Sequence, residues 1–162
     1  MTDSLSETRR TGKAGVWRIG AVSELVKGVG NSNVKKIRLK HNETFIVTDA
    51  NGAFLLSEKE MGLYRQATRY LRTCNLLLHG YPLLPLAYTL SDKGDSCEID
   101  LTNPQLSLGD AMLESNTLFV RRYLELQSNS LTQSIELSSY QFTPLTLELR
   151  LALKTDFFDI FE

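Results

Sequence analysis

Residues 145–154 read Leu-Thr-Leu-Glu-Leu-Arg-Leu-Ala-Leu-Lys, so that a leucine stands at every second position. Because successive side chains of a β-strand point to opposite faces of the sheet, this pattern places all the leucines on one face. Such a face must be covered by other apolar surface, and a second sheet is the usual cover when tight turns join the strands. The stretch therefore predicts one strand of an antiparallel β-sandwich.

The same period of two recurs along most of the chain. Strands are predicted at residues 45–48, 53–56, 71–79, 83–90, 96–101 and 117–127 and again after residue 130, with tight turns at residues 49–52 and 80–82. Together with residues 145–153, these segments predict a mainly β fold, an antiparallel β-sandwich of about nine or more strands.

Two segments depart from this pattern. Residues 57–60 (Ser-Glu-Lys-Glu) fit a helix capping box, which predicts at most a short helix near residues 58–68. Residues 16–29 fit a strand and a short helix equally well. Residues 1–14 are polar without a period, which predicts a disordered tail ahead of a single β-sandwich domain over residues 15–162.

The charge and composition exclude several classes of partner. The 162 residues include 18 Lys and Arg against 19 Asp and Glu, a net charge of -1. Such a chain has no global field that draws it to nucleic acid or to an anionic membrane, and we expect neither partner. No apolar run is long enough for a signal peptide or a spanning helix, which predicts a cytoplasmic protein. Cys74 and Cys97 fit a reducing compartment, and the sequence leaves open whether they pair.

Few residues of the sequence are suited to catalysis or metal binding. His41 and His79 stand alone, and no Cys-x-x-Cys, His-x-x-x-His, P-loop or Gly-x-Ser-x-Gly pattern occurs. Asp156, Asp159 and Glu162 are three close carboxylates, but an acid–base pair needs an enclosing pocket, and a solvated or interface strand end fits them better. We therefore predict no catalytic residue, no metal and no cofactor in this chain.

Aromatic and guanidinium side chains are interleaved between residues 64 and 72. Tyr64, Arg65 and Arg69 are the candidates for a surface that holds sugar hydroxyls by stacking and forked hydrogen bonds, or that binds an acidic patch of a neighbouring domain. The other interpretation is an ordinary strand edge with amphipathic arginines.

The chain closes with Phe157, Phe158, Ile160 and Phe161, four large apolar residues among its last six. They fit a terminal strand that closes the core, or a contact with something outside these residues. For Phe157, Phe158 and Phe161 we expect an interdomain contact within a longer polypeptide. A homo-oligomer formed through the same apolar end is the alternative.

Several short motifs follow one another in the order found in a known family. They are Phe45-Ile46-Val47-Thr48-Asp49-Ala50-Asn51-Gly52, Gly62-Leu63-Tyr64, Thr68-Arg69-Tyr70-Leu71, Asp100-Leu101-Thr102-Asn103-Pro104, Arg121-Arg122 and Asp156-Phe157-Phe158-Asp159-Ile160-Phe161-Glu162. Over residues 38–162 the chain thereby resembles the amino-terminal domain of some bacterial glycogen debranching enzymes, the amylo-alpha-1,6-glucosidase type.

The resemblance implies a β-supersandwich that precedes a catalytic domain of paired helices in a barrel. The enzymes of the family hydrolyse alpha-1,6 branch linkages in glycogen-like glucan, so the implied partner is the catalytic domain of the same polypeptide, which would hold the acid and base carboxylates. Relatives usually carry Tyr-His-Arg-Asp-Thr-Arg where this chain has Tyr64-Arg65-Gln66-Ala67-Thr68-Arg69. An imidazole and a carboxylate are therefore missing here.

Two functions of different classes remain. The first is a non-catalytic domain of a glycogen debranching enzyme that braces the catalytic domain and contributes to glucan binding. The second is a free-standing β-domain that binds carbohydrate through residues 64–72 or forms oligomers through its apolar C-terminal end.

Overall fold

The computed structural model describes residues 15–17 and 34–159, and within these ranges it contains strands and no helix. The strands are β1 (Gly15–Trp17), β2 (Lys36–His41), β3 (Thr44–Asp49), β4 (Gly62–Arg65), β5 (Thr68–Leu71), β6 (Thr73–Leu78), β7 (Tyr81–Pro82), β8 (Leu84–Leu90), β9 (Ser96–Thr102), β10 (Leu106–Leu108), β11 (Ala111–Leu113), β12 (Leu118–Gln127), β13 (Ser130–Ser139), β14 (Leu149–Lys154) and β15 (Phe158–Asp159). The tail predicted at residues 1–14 and most of the undecided segment at residues 16–29 lie outside the described residues.

The described strands pair antiparallel throughout, in three sheets and one separate hairpin. The order is β1-β13-β12-β9-β8 in the front sheet, β15-β5-β4-β3-β2 in the back sheet and β14-β6-β7 in the side sheet, while β10 and β11 form the hairpin. The central strand β12 of the front sheet contacts β2 and β3 of the back sheet. The prediction of a mainly β, antiparallel sandwich is thereby confirmed.

The core lies between these sheets. Along β12 buried and half-buried residues alternate, as expected for a strand with one face on the core. Apolar side chains from all three sheets meet there, among them Ile37, Leu39, Ile46, Cys74, Leu76, Leu78, Ile99, Leu101, Val120 and Leu124.

The leucine stretch that predicted the sandwich packs as expected, although only part of it is a strand. Residues 149–154 form β14 and pair with β6, whose six residues are all buried. Leu151 is buried, and the other four leucines are half-buried against the core. Leu145 and Leu147 thus contribute apolar surface without strand pairing.

The short helix predicted near residues 58–68 is wrong. Residues 62–71 instead form the hairpin of β4 and β5 around Gln66, whose φ is 53°. The competing interaction is the guanidinium of Arg72, which donates hydrogen bonds of 2.5 to 3.4 Å to four carbonyl oxygens: those of Leu55, Leu56, Glu58 and Met61. Carbonyls that converge on one side chain cannot all point along a helix axis, so the segment forms turns.

The strand predicted at residues 53–56 is also wrong, because β3 pairs with β2 and β4. The Asp49 carboxylate accepts the backbone N–H groups of Asn51 and Ala53, each at 2.8 Å. The next N–H, that of Phe54, donates to the Asn75 side chain at 3.1 Å. Side-chain acceptors thus take the donors that a strand ladder would need, and a tight turn runs into a buried loop.

A fully buried arginine joins the three sheets. Arg122 is 0% exposed on the core face of β12. Its Nε and Nη2 donate to Gln133 Oε1 on β13 at 3.0 and 2.7 Å, and its Nη1 donates to the carbonyl oxygen of Asn51 at 3.1 Å. Its Nη2 also lies 3.2 Å from the sulfur of Cys74 on β6. One side chain therefore links the front sheet, the turn after β3 and the side sheet.

The turn after β3 is shaped to receive this guanidinium. Burial raises the pKa of Asp49 above its ordinary value, while its backbone hydrogen bonds and the charge of Arg122 act in the opposite direction. Gly52 has a φ of 74°, and a Cβ there would lie 2.9 Å from Ile99 Cδ1 and 3.1 Å from Arg122 Nη1. Glycine meets both demands, the positive φ and the close approach.

Replacing Arg122 by alanine should lower the free energy of unfolding by about 3–5 kcal/mol, because Gln133 and Asn51 lose their donor inside the core. Denaturant titration of the purified chain measures this loss. Arg121→Ala, on the opposite face of the same strand, is the matched control and should cost far less. Equal losses for the two variants would contradict a linking role for the buried arginine.

Candidate functional site

The structure buries two of the three residues that the sequence suggested as one binding surface and leaves the third exposed. Tyr64 is buried, with 4% of its surface exposed, and its ring stacks on Phe45 with the centroids 4.6 Å apart. Its hydroxyl donates to the carbonyl oxygen of Glu60 at 3.0 Å. Arg69 is also buried, at 8%, whereas Arg65 is exposed at the end of β4. In this arrangement the Tyr64 ring offers no open face for a sugar.

Arg69 anchors the C-terminal segment. Its Nε donates to both carboxylate oxygens of Asp156 at 3.1 Å, and its Nη2 donates to Oδ2 at 2.5 Å. Its Nη1 donates to the carbonyl oxygen of Lys59 at 2.8 Å. A Cβ on Gly62 would lie 2.6 Å from Arg69 Cδ, so the glycine leaves the space that the arginine fills. We call this ion pair between Arg69 and Asp156 the clamp.

The ion pair with Arg69 also lowers the pKa of Asp156. Partial burial by itself raises the pKa of Asp156, but the hydrogen bond and the charge of Arg69 outweigh it, and the net pKa lies below the ordinary value. The carboxylate is therefore ionised and paired at neutral pH. An ionised, paired carboxylate cannot serve as a general acid, because a general acid must carry a proton at neutral pH.

Beyond the clamp lies an exposed group of aromatic rings, Tyr70, Phe157 and Phe158, which we call the aromatic patch. These residues are 42%, 63% and 47% exposed. Tyr70 and Phe157 meet edge to face with ring centroids 5.8 Å apart, and the Arg69 guanidinium lies 5.1 Å from the centre of the Phe158 ring. Phe158 pairs with Arg69 in the β15–β5 ladder, so clamp and patch form one unit. Phe161, expected in the same contact, lies outside the described residues.

The remaining polar candidates have structural contacts. The Nε2 atom of His79 accepts the backbone N–H of Glu148 at 3.1 Å, and His41 Nδ1 lies 3.6 Å from an oxygen of Asp95. Cys74 and Cys97 are buried free thiols, which answers the open question of their pairing, and burial raises the pKa of Cys97 to about 11.

Two further properties of the described ranges bear on function. No group of three or more His, Cys, Asp or Glu side chains there is placed to hold a metal ion. No helix in that part of the chain is long and apolar enough to cross a membrane.

Sequence reasoning missed the partner of Arg69, because Asp156 stands 87 positions further along the chain and no local pattern joins the two. It also missed Arg122 as a core residue. The signal for Arg122 was present, since the residue occupies a core-facing position between Val120 and Leu124 in a strand of period two.

The fold and the clamped aromatic end define an all-β sandwich domain with an exposed aromatic patch at one sheet edge. Comparison with known families goes further. The model of the family described as the N-terminal domain of some glycogen debranching enzymes matches residues 39–162. The chain belongs to this family, and the resemblance seen in its motifs is confirmed. No curated protein matches the chain, and no solved structure does.

Changing Asp156 to asparagine should lower the free energy of unfolding by about 1 kcal/mol at neutral pH, because the variant loses a charged, partly exposed pair. A carboxyl whose pKa is lowered on folding stabilises the fold above its unfolded pKa, and this contribution disappears as the pH falls through the folded pKa. The difference from wild type should therefore close as the pH falls below about 4.

Denaturant titration across this pH range measures the effect, with Asp110→Asn on the β10–β11 turn as the control. A difference between Asp156→Asn and wild type that does not change with pH would contradict an ionised pair.

Proposed function

We propose that this chain is the non-catalytic N-terminal domain of a glycogen debranching enzyme, and that it braces the catalytic domain of the same polypeptide through the aromatic patch. The catalytic domain would supply the acid and base that hydrolyse the alpha-1,6 branch linkage. Family membership supports the first part of this proposal. The two free, buried thiols support a cytoplasmic location as part of it.

The observation that carries the docking role is the exposure of Phe157 and Phe158 on a rigid support. Large exposed apolar groups that adjoin one another are typical of interaction sites. The bidentate Arg69–Asp156 pair and the β15–β5 ladder hold the two rings in place before any partner arrives. When a partner buries the two rings, their side chains therefore lose little further conformational entropy.

The isolated chain should release no glucose from branched glucan at an enzyme-like rate. The measurement is reducing-sugar release from glycogen or a branched dextrin, with the same chain heated to unfold it as the blank. Turnover near the usual range of about 1 to 1000 per second would contradict a non-catalytic domain.

In the polypeptide that carries both domains, the double variant Phe157→Ser with Phe158→Ser should weaken the domain contact by about 2–3 kcal/mol, because two buried anchor rings are lost. Limited proteolysis then cuts between the domains at least about tenfold faster than in wild type. Phe142→Ser is the matched control, since Phe142 is fully exposed elsewhere and should leave the rate unchanged.

Light scattering of the isolated chain separates bracing from the alternative of oligomer formation. A monomer is expected. A dimer that dissociates in the Phe157→Ser, Phe158→Ser variant would assign the aromatic patch to contacts between copies instead.

A further inference from the structure

The outer face of the front sheet carries a second group of aromatic and charged side chains, on a different sheet from the aromatic patch. Residues directly opposite in neighbouring antiparallel strands share a face. Arg121 on β12 stands opposite Asp100 on β9, and Tyr123 stands opposite Glu98. Phe119, two positions before Arg121, lies on the same face. We call these five residues the outer-face cluster.

The cluster is organised around the guanidinium of Arg121. Its Nε lies 2.9 Å from Asp100 Oδ1 and 3.3 Å from Glu98 Oε1. The guanidinium also lies 5.4 Å from the centre of the Phe119 ring. These contacts fix the positions of both carboxylates while leaving the side chains of Arg121 and Glu98 about 40% exposed, at 38% and 42%. The polar atoms are therefore ordered and still open to a ligand.

A groove adjoins the cluster. Its volume is about 230 Å³, and it is lined by Tyr123, Glu98, Thr89, Ser91 and Ser96 together with the apolar side chains of Leu90 and Cys97. The Tyr123 hydroxyl has no hydrogen-bond partner among the residues that the structure describes, so its acceptor and donor capacity is available. The volume is below the roughly 300–1000 Å³ of drug-sized pockets, and it suits a single ring of a longer chain.

The chemistry of the lining selects a neutral polyhydroxylated ligand. An aromatic face contacts the apolar C–H surface of a sugar ring, and a carboxylate beside a guanidinium offers an acceptor and donors to neighbouring hydroxyls. Glu98 and Asp100 outnumber Arg121, and Glu136 stands opposite Arg121 on β13. The surplus of negative charge repels phosphate, nucleic acid and acidic peptides.

We propose that the outer-face cluster and its groove bind a segment of α-glucan, with Tyr123 as the stacking platform and Glu98 as the acceptor for vicinal hydroxyls. The choice of α-glucan among neutral polysaccharides rests on the proposed function. This site replaces residues 64–72 as the glucan-binding surface, because Tyr64 and Arg69 are buried, whereas the residues of the cluster are half-buried and the side chains of Arg121 and Glu98 are 38% and 42% exposed.

Isothermal titration of the 162-residue chain with maltoheptaose, and affinity electrophoresis in glycogen, test the proposal. Wild type should bind both. Tyr123→Ala should weaken binding at least about tenfold, because an aromatic anchor is lost, and Glu98→Gln should weaken it to a similar extent because the charged acceptor is lost. Tyr123→Phe, which keeps the ring, should fall between wild type and Tyr123→Ala.

Matched controls come from the same chain. Tyr140→Ala and Glu114→Gln replace an exposed tyrosine and an exposed glutamate outside the cluster, and both should bind within about twofold of wild type. Circular dichroism and denaturant titration confirm that each variant is folded.

Three outcomes would overturn the proposal. In the first, wild type binds neither maltoheptaose nor glycogen. In the second, the Tyr123 and Glu98 variants bind as tightly as wild type. In the third, the chain binds an oligolysine peptide through Glu98 and does not bind glucan. The last outcome would assign the face to a basic partner. None of these results depends on the aromatic patch, so a failed glucan site and a failed domain contact are distinguished by separate measurements.

Discussion

The buried guanidinium of Arg122 is the constraint on which the arrangement of the three sheets depends. A charged group in the core costs several kcal/mol of desolvation unless its hydrogen bonds are satisfied. Here Gln133, Asn51 and Cys74 meet that demand from three different parts of the fold. Apolar packing between sheets tolerates sliding, whereas a directional network holds only when all its members are in register. The arginine therefore specifies how the sheets sit, in addition to filling space between them.

Two further arginines use the same principle near the edge of the back sheet. Arg72 gathers the carbonyls of the loop before β4, and Arg69 ties that loop to the C-terminal segment through Lys59 and Asp156. The aromatic and guanidinium groups between residues 64 and 72 thus serve mainly to build the edge on which the aromatic patch stands. Arg69 also fixes the position of Phe158, with which it pairs in the β15–β5 ladder.

The fold class could be predicted from the sequence because period two is a local property. The stretch of residues 145–154 and the strand β12 both show it, and both pack on the core. The wrong predictions of a helix and of a strand arose because side chains distant in sequence bind the backbone of these segments. The capping box at residues 57–60 is a true local signal, but Arg72 captures the carbonyls that a helix would need. Residues 53–56 follow a tight turn, as a returning strand would, yet Asp49 and Asn75 take their backbone donors.

The burial of the candidate residues could not be predicted from the sequence for the same reason. The interleaved aromatic and guanidinium groups suggested a binding surface at Tyr64 and Arg69. Such groups are common at binding sites and in ordered cores alike, so the pattern alone cannot distinguish the two. Only the pairing of strands shows which of them are buried. Glu98 and Tyr123 lie 25 positions apart in the sequence and are neighbours only through the β9–β12 register.

The strand β12 connects the buried network to the proposed glucan site. Arg122 points into the core, and its neighbours Arg121 and Tyr123 project from the opposite face of the same strand. A binding site gains affinity when its groups are held in place before the ligand arrives, since less freedom is then lost on binding. Because Arg122 is bonded to β13 on one side and to the turn after β3 across the core, the backbone that carries Tyr123 cannot shift without breaking buried hydrogen bonds. The same interaction that assembles the sandwich therefore stiffens the platform on its outer face.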